Sequence, residues 1–384
     1  MTRLEFRLSA GVLRILAAIF RLLPPDRKRV VLASPRLPHL DGNLAYIHAA
    51  LRRLRPDLRV TVLAEPYAYD LVGKLRYLVR LVRGMYHVQT AALVVVDNAW
   101  LPVHVGSHRS TTTVVQVWHG VAGIKRVGFD TTRPPDEPER TFLHRNYDRV
   151  VCSSEGWRAA YGRAFRAPTD HVIALGAPRT DFFFDEPAMA AAAAAVRAAH
   201  PILDGRRLVL YAPTFRGRGA GKHAADGLDA ARLRAALSPD VVLGLKTHPN
   251  LDPSATSSAG YDIVFDPTLE LNGLLAATDV LITDYSTSVI EWALLRRPLV
   301  LFVPDLAEFE AYPGLYLDYR TEMIGTVAVT TDEVAAAIAG SGSRATAGTA
   351  GVDVDAFIER HLGACDGRSS ERFVRRFLGD GAAP

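Results

Sequence analysis

The amino-acid sequence predicts an α/β protein with two domains, each built around a parallel β-sheet. Short runs of almost purely apolar residues recur along the chain, and a polar or Gly/Pro-containing loop follows each run. Strands that are buried on both faces have this continuous apolar pattern, which is typical of parallel sheets covered by helices. The runs alternate with helical stretches, as in strand–helix–strand units. A chain of 384 residues has the length of two or three domains.

The predicted strands form two comparable groups. The first group lies at 27–35, 58–66, 91–99, 111–120, 147–154 and 171–179, and the second at 206–215, 240–249, 262–267, 279–286 and 297–305. Between them, an alanine-rich helix within 188–207 ends at Pro201 and Gly205, and we place the domain boundary there. The sequence therefore predicts an N-terminal domain at 25–182, a C-terminal domain at 205–365 and a C-terminal helix at 366–384.

Composition excludes several classes of protein. Hydrophobic residues make up 49% and charged residues 22% of the chain, which excludes disordered and collagen-like proteins. The net charge of +4 is mildly basic and favours anionic partners such as phosphates or a membrane surface. Cys152 and Cys365 are the only cysteines, so a disulfide framework and a multi-cysteine zinc site are excluded, and a reducing, cytoplasmic location fits.

Residues 1–24 are predicted to form an amphipathic helix. Its arginines recur at intervals of four and seven residues and so share one helical face, opposite Leu, Val, Ile and Phe. The charges are too many for a membrane-spanning helix. The pattern predicts a helix that lies on an anionic membrane surface, which would make the protein peripheral to the cytoplasmic face of the cell membrane. The alternative is a helix that packs on the body of the protein.

Two strand ends in the sequence carry residues suited to acid–base chemistry and phosphate binding. His119 follows an apolar strand and precedes Gly120, a position at which a histidine can act as a general base near neutral pH. Thr214 and Arg216 follow Pro213 at a second strand end, where the planar guanidinium suits a phosphate. The alternatives are a structural loop histidine and a surface arginine.

Two further strand ends carry groups that favour anions. Lys246 and His248 share the end of the 240–249 run, where both could face a polyanion. Ser286 and Thr287 offer hydroxyls just before a predicted helix, whose N-terminus would present free N–H groups. Capping-box spacing of residues 288 and 291 marks the helix start, and Glu291 could accept a hydrogen bond from a ribose hydroxyl. The alternative is a well-capped helix without a ligand.

Strings that mark other kinds of site are absent from the sequence. Residues 217–223 resemble a P-loop but lack its first glycine and its final Ser or Thr, and no Gly-x-Gly-x-x-Gly string follows a strand. We interpret the pair Asp353 and Asp355 as a helix cap instead of a metal site. The sequence therefore predicts no metal, no cofactor and no nucleic-acid partner.

Taken together, the strand-end strings resemble the CDP-glycerol glycerophosphotransferase family, which builds teichoic acids and related polyol-phosphate polymers. The resemblance runs from about residue 28 to 378 and rests on strings at 41–43, 118–120, 176–181, 212–216, 246–249, 283–287 and 366–370. It implies a GT-B fold, in which two Rossmann-like domains with parallel sheets face a central cleft. The N-terminal domain would then bind the acceptor and the C-terminal domain the CDP-alditol donor.

The resemblance also implies a role for each matching residue. His119 would take the proton of an acceptor hydroxyl, and His248 with Lys246 would stabilise the phosphoryl group during transfer. The two imidazoles would converge over a CDP diphosphate held by Ser286 and Thr287. The other implied donor-binding residues are Trp118, Gly120, Arg179, Pro213, Thr214, Arg216 and Thr247, with Glu291 on the ribose.

The function implied by the resemblance is transfer of an alditol phosphate from a CDP-alditol to a hydroxyl of a lipid-linked or polyol-phosphate acceptor, with release of CMP. Glycerol phosphate is the first expectation, and ribitol phosphate is the alternative. Two rival functions stay open at this point: a GT-B glycosyltransferase that uses a nucleotide sugar, and a non-catalytic nucleotide sensor or scaffold at the membrane.

Overall fold

The chain divides into two compact units. A computed structural model describes residues 3–35, 38–64, 71–132, 143–217, 223, 225, 227–247, 257–341 and 351–379. Unit 1 comprises Met1–Ala122, Arg126–Asp181 and Leu362–Pro384, and unit 2 comprises Gly123–Lys125 and Phe182–His361. Each unit contains its own sheet and core.

The described helices, in chain order, surround the two sheets. They are α1 (Arg3–Phe20), α2 (Gly42–Leu54), α3 (Leu71–Thr90), α4 (Leu101–Val105), α5 (Arg158–Phe165), α6 (Glu186–Ala199), α7 (Ala230–Ala236), α8 (Leu271–Ala277), α9 (Ser288–Ala293), α10 (Leu306–Ala311), α11 (Thr331–Gly340), α12 (Val354–Leu362) and α13 (Ser369–Leu378). Among these described helices, none has the length and apolarity needed to cross a membrane.

Unit 1 contains a six-stranded parallel sheet. Its strands are β1 (Asp26–Ser34), β2 (Arg59–Ala64), β3 (Ala91–Val96), β4 (Thr113–Gln116), β5 (Arg149–Cys152) and β6 (Val172–Ala174), in the spatial order β2-β1-β3-β4-β5-β6. Val30 and Leu32 point into a core shared with α2 and α13, whereas Val31 and Ala33 point into a core on the other face. Both faces are buried, which explains the unbroken apolar runs.

Unit 2 contains a second six-stranded parallel sheet. Its strands are β7 (Arg207–Tyr211), β8 (Val241–Lys246), β9 (Ile263–Phe265), β10 (Val280–Thr283), β11 (Leu299–Phe302) and β12 (Thr326–Ala328), in the order β12-β11-β10-β7-β8-β9. This is the Rossmann order, in which the chain changes direction across the sheet between its first and fourth strands, here β7 and β10. Ligands of such sheets bind beyond the strand ends at this switch point.

The predicted α/β class with two parallel sheets is confirmed, and each predicted strand forms. The sequence did not predict β12, a three-residue edge strand at Thr326–Ala328. Two of its three residues are only partly buried, so it lacks a continuous apolar run.

The middle segment of unit 1 ends at Asp181, next to the predicted domain end at 182, but the alanine-rich helix that we place at the boundary is part of unit 2. Unit 2 begins at Phe182, and α6 belongs to it. Arg197 of α6 donates hydrogen bonds to the carbonyl oxygens of Leu203 and Ala277, at 2.7 and 3.2 Å, and so ties the helix to unit 2. Most residues of α6 are exposed or only partly buried, so its alanine-rich composition does not mark a linker between domains. The chain returns to unit 1 at Leu362, so α13 is part of that unit's core instead of a separate helix.

Helix α1 packs on the body of unit 1, as the alternative interpretation of this segment expects. Ala10, Leu13 and Ala17 form a buried cluster with Leu81 and Met85 of α3. The predicted separation of one arginine face from one apolar face is incomplete, because α1 has a second apolar stripe that is exposed. This stripe, 45–65% exposed, consists of Leu8, Val12, Ile15 and Ile19, and Leu22, which is 85% exposed, follows the helix.

Two of the arginines predicted for this helical face make contacts within unit 1: Arg14 in α1 and Arg21 just after it. The Arg14 Nε donates to the carbonyl oxygen of Val105 at 3.4 Å, and the Arg21 guanidinium donates to Ser107 Oγ at 2.6 Å. The predicted arginine face is therefore partly used to fasten the helix to unit 1.

Candidate functional site

In unit 1, the candidate site is the turn that follows β4. Trp118 has a φ of 52°, in the left-handed region that residues with a side chain rarely adopt. His119 follows it and is half-buried, and its ring centroid lies 4.2 Å from that of Trp118. The strained residue stands next to the predicted base, a placement typical of functional sites.

A backbone carbonyl sets the proton position on His119. Its Nδ1 lies 3.3 Å from the carbonyl oxygen of Asp97, the residue that follows β3. A carbonyl can only accept, so Nδ1 carries the hydrogen, and in the neutral ring Nε2 is the nitrogen that can accept a proton. Ser34 at the end of β1 donates to the Asp97 carboxylate at 3.1 Å. The ends of three neighbouring strands are thus linked at the switch point of this sheet.

Arg179 lies beside the His119 turn. Its Nη1 donates to the carbonyl oxygen of His119 at 3.2 Å, and its backbone N–H donates to Asn43 Oδ1 at 3.1 Å. The structure therefore brings together four residues that the sequence predicts for the site, which are Trp118, His119, Gly120 and Arg179.

Two other histidines of unit 1 are buried near this turn. His104 accepts a hydrogen bond from the backbone N–H of Trp100 at 3.0 Å, and His144 lies with its ring 6.1 Å from that of Trp118. Burial lowers the pKa of His104 to about 4 and that of His144 to about 3. Both rings are neutral at physiological pH and belong to the packing beneath the turn, whereas His119 is partly accessible.

In unit 2, the candidate site lies at the switch point between β7 and β10. Asp284 follows β10, and its carboxylate is 1% exposed. It accepts hydrogen bonds from the backbone N–H of Thr214 at 2.9 Å, the Thr214 hydroxyl at 3.0 Å and Arg216 Nη1 at 2.7 Å. The pairing of adjacent strands thus joins the Pro213–Arg216 loop to the loop after β10.

Arg216 bridges two carboxylates of unit 2, and its predicted contact with the donor stays a prediction. Besides its bond to Asp284, its Nε donates to Asp305 Oδ2 at 2.6 Å. Burial lowers the pKa of Arg216, but the charges and hydrogen bonds of the two carboxylates outweigh burial and raise that pKa above its ordinary value. Most of its donors are therefore occupied within unit 2.

Five residues of this cluster were not among the predicted site residues: Asp284, Tyr285, Asp305, Phe309 and Lys125. Tyr285 stacks on Phe309 with ring centroids 3.7 Å apart and donates to Asp305 at 3.0 Å. Lys125 lies with its Nζ 5.9 Å from the centre of the Phe309 ring. Burial lowers the pKa of Lys125, and Asp284 opposes that change. The position of an acid directly after β10 was the available signal for Asp284.

The end of β8 holds its lysine in the protein itself. Lys246 and Thr247 are buried, and Lys246 Nζ donates to the carbonyl oxygen of Pro267 at 2.8 Å. His248 lies outside the described residues. The predicted contact of Lys246 with a polyanion therefore competes with the carbonyl groups that already surround its ammonium group.

The hydroxyl loop before α9 is present, but the predicted capping box is not. Ser288 is the first residue of the helix, and Thr287 at the N-cap makes no side-chain cap hydrogen bond. The Ser288 hydroxyl donates to Ser286 Oγ at 2.8 Å. Ser286 and Thr287 are both half-buried. Because α9 has only six residues, its dipole is small, and we expect the two hydroxyls to contribute more than the dipole to the binding of an anion.

Glu291 is fully buried in α9. A ribose could reach its carboxylate only if the surrounding residues moved, so contact with a ribose stays a prediction.

Comparison with known proteins identifies the family. The family model described as CDP-Glycerol:Poly(glycerophosphate) glycerophosphotransferase matches residues 15–379, nearly the whole chain. The chain belongs to this family. Membership confirms the sequence resemblance and places the protein in a family of enzymes, the glycerophosphotransferases.

Relatives within the glycerophosphotransferase family include polymerases and primases of teichoic acid. The chain is 30% identical over 97% of its length to the teichoic acid poly(ribitol-phosphate) polymerase of Bacillus spizizenii strain W23, of which it spans 60%. It is 30% identical over its whole length to the teichoic acid ribitol-phosphate primase of the same strain, of which it spans 99%.

A solved structure of a wall teichoic acid polymerase, TagF, has a similar fold. It superposes with a TM-score of 0.76 at 19% identity and covers 98% of this chain and 96% of that chain. At this identity the similarity supports the fold and does not transfer residue roles.

Proposed function

We propose that the protein transfers an alditol phosphate from a CDP-alditol to a hydroxyl of a polyol-phosphate or lipid-linked acceptor and releases CMP. The observation that carries this proposal is His119, whose Nδ1 faces the Asp97 carbonyl and leaves Nε2 as a base. Arg179 beside it supplies positive charge within unit 1. Phosphoryl transfer needs mainly positioned groups and charge stabilisation, and these residues supply both.

The proposed reaction is a single displacement at phosphorus. His119 Nε2 accepts the proton of the acceptor hydroxyl while the hydroxyl oxygen forms a bond to the β-phosphorus. The bond from that phosphorus to the bridging oxygen breaks, and CMP leaves with the electron pair. His248 and Lys246 would stabilise the phosphoryl group. The GT-B arrangement of the two units is part of this proposal and rests on the sequence resemblance.

Unit 2 is proposed to hold the donor. The half-buried hydroxyls of Ser286 and Thr287, with Thr214 beside Asp284, lie at the switch point of its sheet. Lys125 belongs to the same unit and adds a cation whose pKa burial lowers. Trp118, Gly120, Pro213, Thr247 and Glu291 stay predicted members of the donor site.

Ribitol phosphate is the transferred group that the relatives favour. The ribitol-phosphate primase matches the whole chain at 30% identity, whereas the teichoic acid glycerol-phosphate primase of Bacillus subtilis strain 168 is 23% identical over 64% of it. Glycerol phosphate is the second candidate, because the family model that matches residues 15–379 is described as a glycerophosphotransferase.

CMP release distinguishes these donors. With a lipid-linked polyol-phosphate acceptor, we expect CDP-ribitol to give a higher kcat/KM than CDP-glycerol, and the product to contain a phosphodiester. UDP-glucose, offered in parallel, is the control for a glycosyltransferase. A glycoside product with no CMP from either CDP-alditol would contradict the proposed function, and a higher kcat/KM for CDP-glycerol would reverse the order of donors.

We also propose that the exposed stripe of α1 lies on an anionic membrane surface at the cytoplasmic face of the cell membrane. Four exposed apolar side chains on α1, with Leu22 just after the helix, form an apolar patch that water does not favour. The neighbouring helix α3 adds exposed Leu78 and Val79. Exposed Arg7, Arg76 and Arg83 on these helices supply charge complementary to anionic lipids.

Charged substitutions on this stripe test membrane binding without removing the buried face of α1. We expect Ile15→Glu with Ile19→Glu to weaken binding to phosphatidylglycerol vesicles by at least about tenfold, because each substitution places a carboxylate where an apolar side chain would insert. Vesicle sedimentation measures the effect. The control is Ile202→Glu, an exposed isoleucine of unit 2. Equal binding by all three proteins would refute the membrane role.

A further inference from the structure

Two buried carboxamides hold the residue before His119 from opposite sides. The first is Gln116, at the end of β4, which is fully buried. Its Oε1 accepts the backbone N–H of Trp118 at 2.8 Å. Its Nε2 donates to the carbonyl oxygen of Asn98 at 3.2 Å and to the Tyr147 hydroxyl at 2.9 Å. Gln116 thus ties the amide side of Trp118 to two other segments of unit 1.

The second carboxamide is Asn43, in the first turn of α2, which is 2% exposed. Its Nδ2 donates to the carbonyl oxygens of Val117 at 3.2 Å and Trp118 at 3.0 Å. Its Oδ1 accepts the backbone N–H of Arg179 at 3.1 Å. Both donor hydrogens and the acceptor of this side chain are therefore used, and all of them hold the segments that carry His119 and Arg179.

These contacts maintain a backbone conformation that a residue with a side chain disfavours. A strained φ of this kind costs about 1–3 kcal/mol and persists only where its surroundings enforce it. The φ of Trp118 sets the direction in which the chain enters His119 and therefore the position of its imidazole. A misplacement of a catalytic group by about 1 Å can reduce a rate by about 10²-fold.

We propose that Asn43 and Gln116 are positioning residues that hold His119 Nε2 at the acceptor hydroxyl, acting through the left-handed Trp118. This inference rests on the proposed role of His119 as the base. The two carboxamides act on the backbone of the turn and are not catalytic residues.

Substitution of Asn43 tests the inference. Asn43→Ser removes both contacts to the carbonyl oxygens and introduces no buried charge, whereas Asn43→Asp keeps the shape but turns an acceptor toward those oxygens. We expect kcat for CMP release to fall by about 10²-fold in each variant. The rise in KM for the CDP-alditol should be much smaller than the fall in kcat, because most of the proposed donor site lies in unit 2 and only Trp118, Gly120 and Arg179 belong to unit 1. Thermal unfolding shows which variants are folded, and Asn43→Ser is the variant that avoids a buried carboxylate.

A double-mutant cycle separates positioning from general stability. In a His119→Ala background, Asn43→Ser should cause no further loss of turnover, because a residue that acts through His119 has nothing left to position. An equal loss in both backgrounds would overturn the proposal.

Gln116→Glu has a matched control in Gln89→Glu, since Gln89 is also fully buried in unit 1 and hydrogen-bonded, to Ser107 and Arg21. We expect only Gln116→Glu to lower kcat, and equal effects would count against the proposal.

Failure of the inference and failure of the proposed function give different results. Full turnover in His119→Ala would overturn the base itself. Loss of turnover in His119→Ala, together with full turnover in a folded Asn43→Ser protein, would overturn the positioning role alone.

Discussion

Replacement of His119 by alanine is expected to lower the turnover number for CMP release by about 10²–10⁴-fold, the range typical of a lost general base. The side chain is half-buried, and its Nδ1 faces a backbone carbonyl, so the imidazole is oriented before any substrate binds. Among the described residues near the turn, neither His104 nor His144 is placed to replace it, because both are buried. His104 accepts a hydrogen bond from the Trp100 backbone, and the His144 ring packs near Trp118. The measurement is CMP release at saturating CDP-alditol and acceptor.

His171→Ala is the matched control for this experiment. His171 lies in unit 1 just before β6, at the amino end of that strand. His119 follows the carboxyl end of β4, so the two histidines lie at opposite ends of the parallel strands. We expect its turnover to equal that of the unsubstituted protein. Both variants should show the same thermal unfolding midpoint within a few degrees, so a loss confined to His119→Ala reports on chemistry. Wild-type turnover in a folded His119→Ala protein would remove the base from the proposed reaction.

Arg216→Met is expected to lower the free energy of unfolding by about 3–5 kcal/mol, the cost of breaking a buried ion pair by removing one partner. Asp284 is 1% exposed and would be left buried without the guanidinium that now bonds to it at 2.7 Å. Asp305 would lose the same partner. Denaturation with urea, followed by circular dichroism, measures the loss.

The exposed pair of Arg232 and Asp332 in unit 2 provides the control for Arg216. Its side chains are 62% and 67% exposed, so Arg232→Met should cost less than about 1 kcal/mol. Adding Asp284→Asn to Arg216→Met should restore part of the lost stability, because it removes the uncompensated charge. Equal losses from the two arginine variants would show that burial of Asp284 does not govern the stability of this cluster.

Much of the site could be predicted from the sequence because its parts are local. A polar residue directly after an apolar run lies at the carboxyl end of a strand, and this rule located Trp118, His119, Thr214 and Ser286. The same rule applies to Asp284, which nevertheless was not assigned a role, because its partner Arg216 is 68 residues away. The sequence contains the arginine and the acid at separate positions, and no local pattern shows that the two side chains form an ion pair.

The sequence by itself determined the α/β class, the places of the strands that carry continuous apolar runs and the family resemblance. These features depend on patterns within a few residues, such as the burial of both faces of each strand. Only the tertiary structure decided that α6 belongs to unit 2, that α13 completes the core of unit 1 and that Asn43 holds the His119 turn. Asn43 and Trp118 are 75 residues apart, and their hydrogen bond exists because the order of strands in the sheet brings α2 beside the end of β4. Such contacts depend on strand order, which no local pattern of residues specifies.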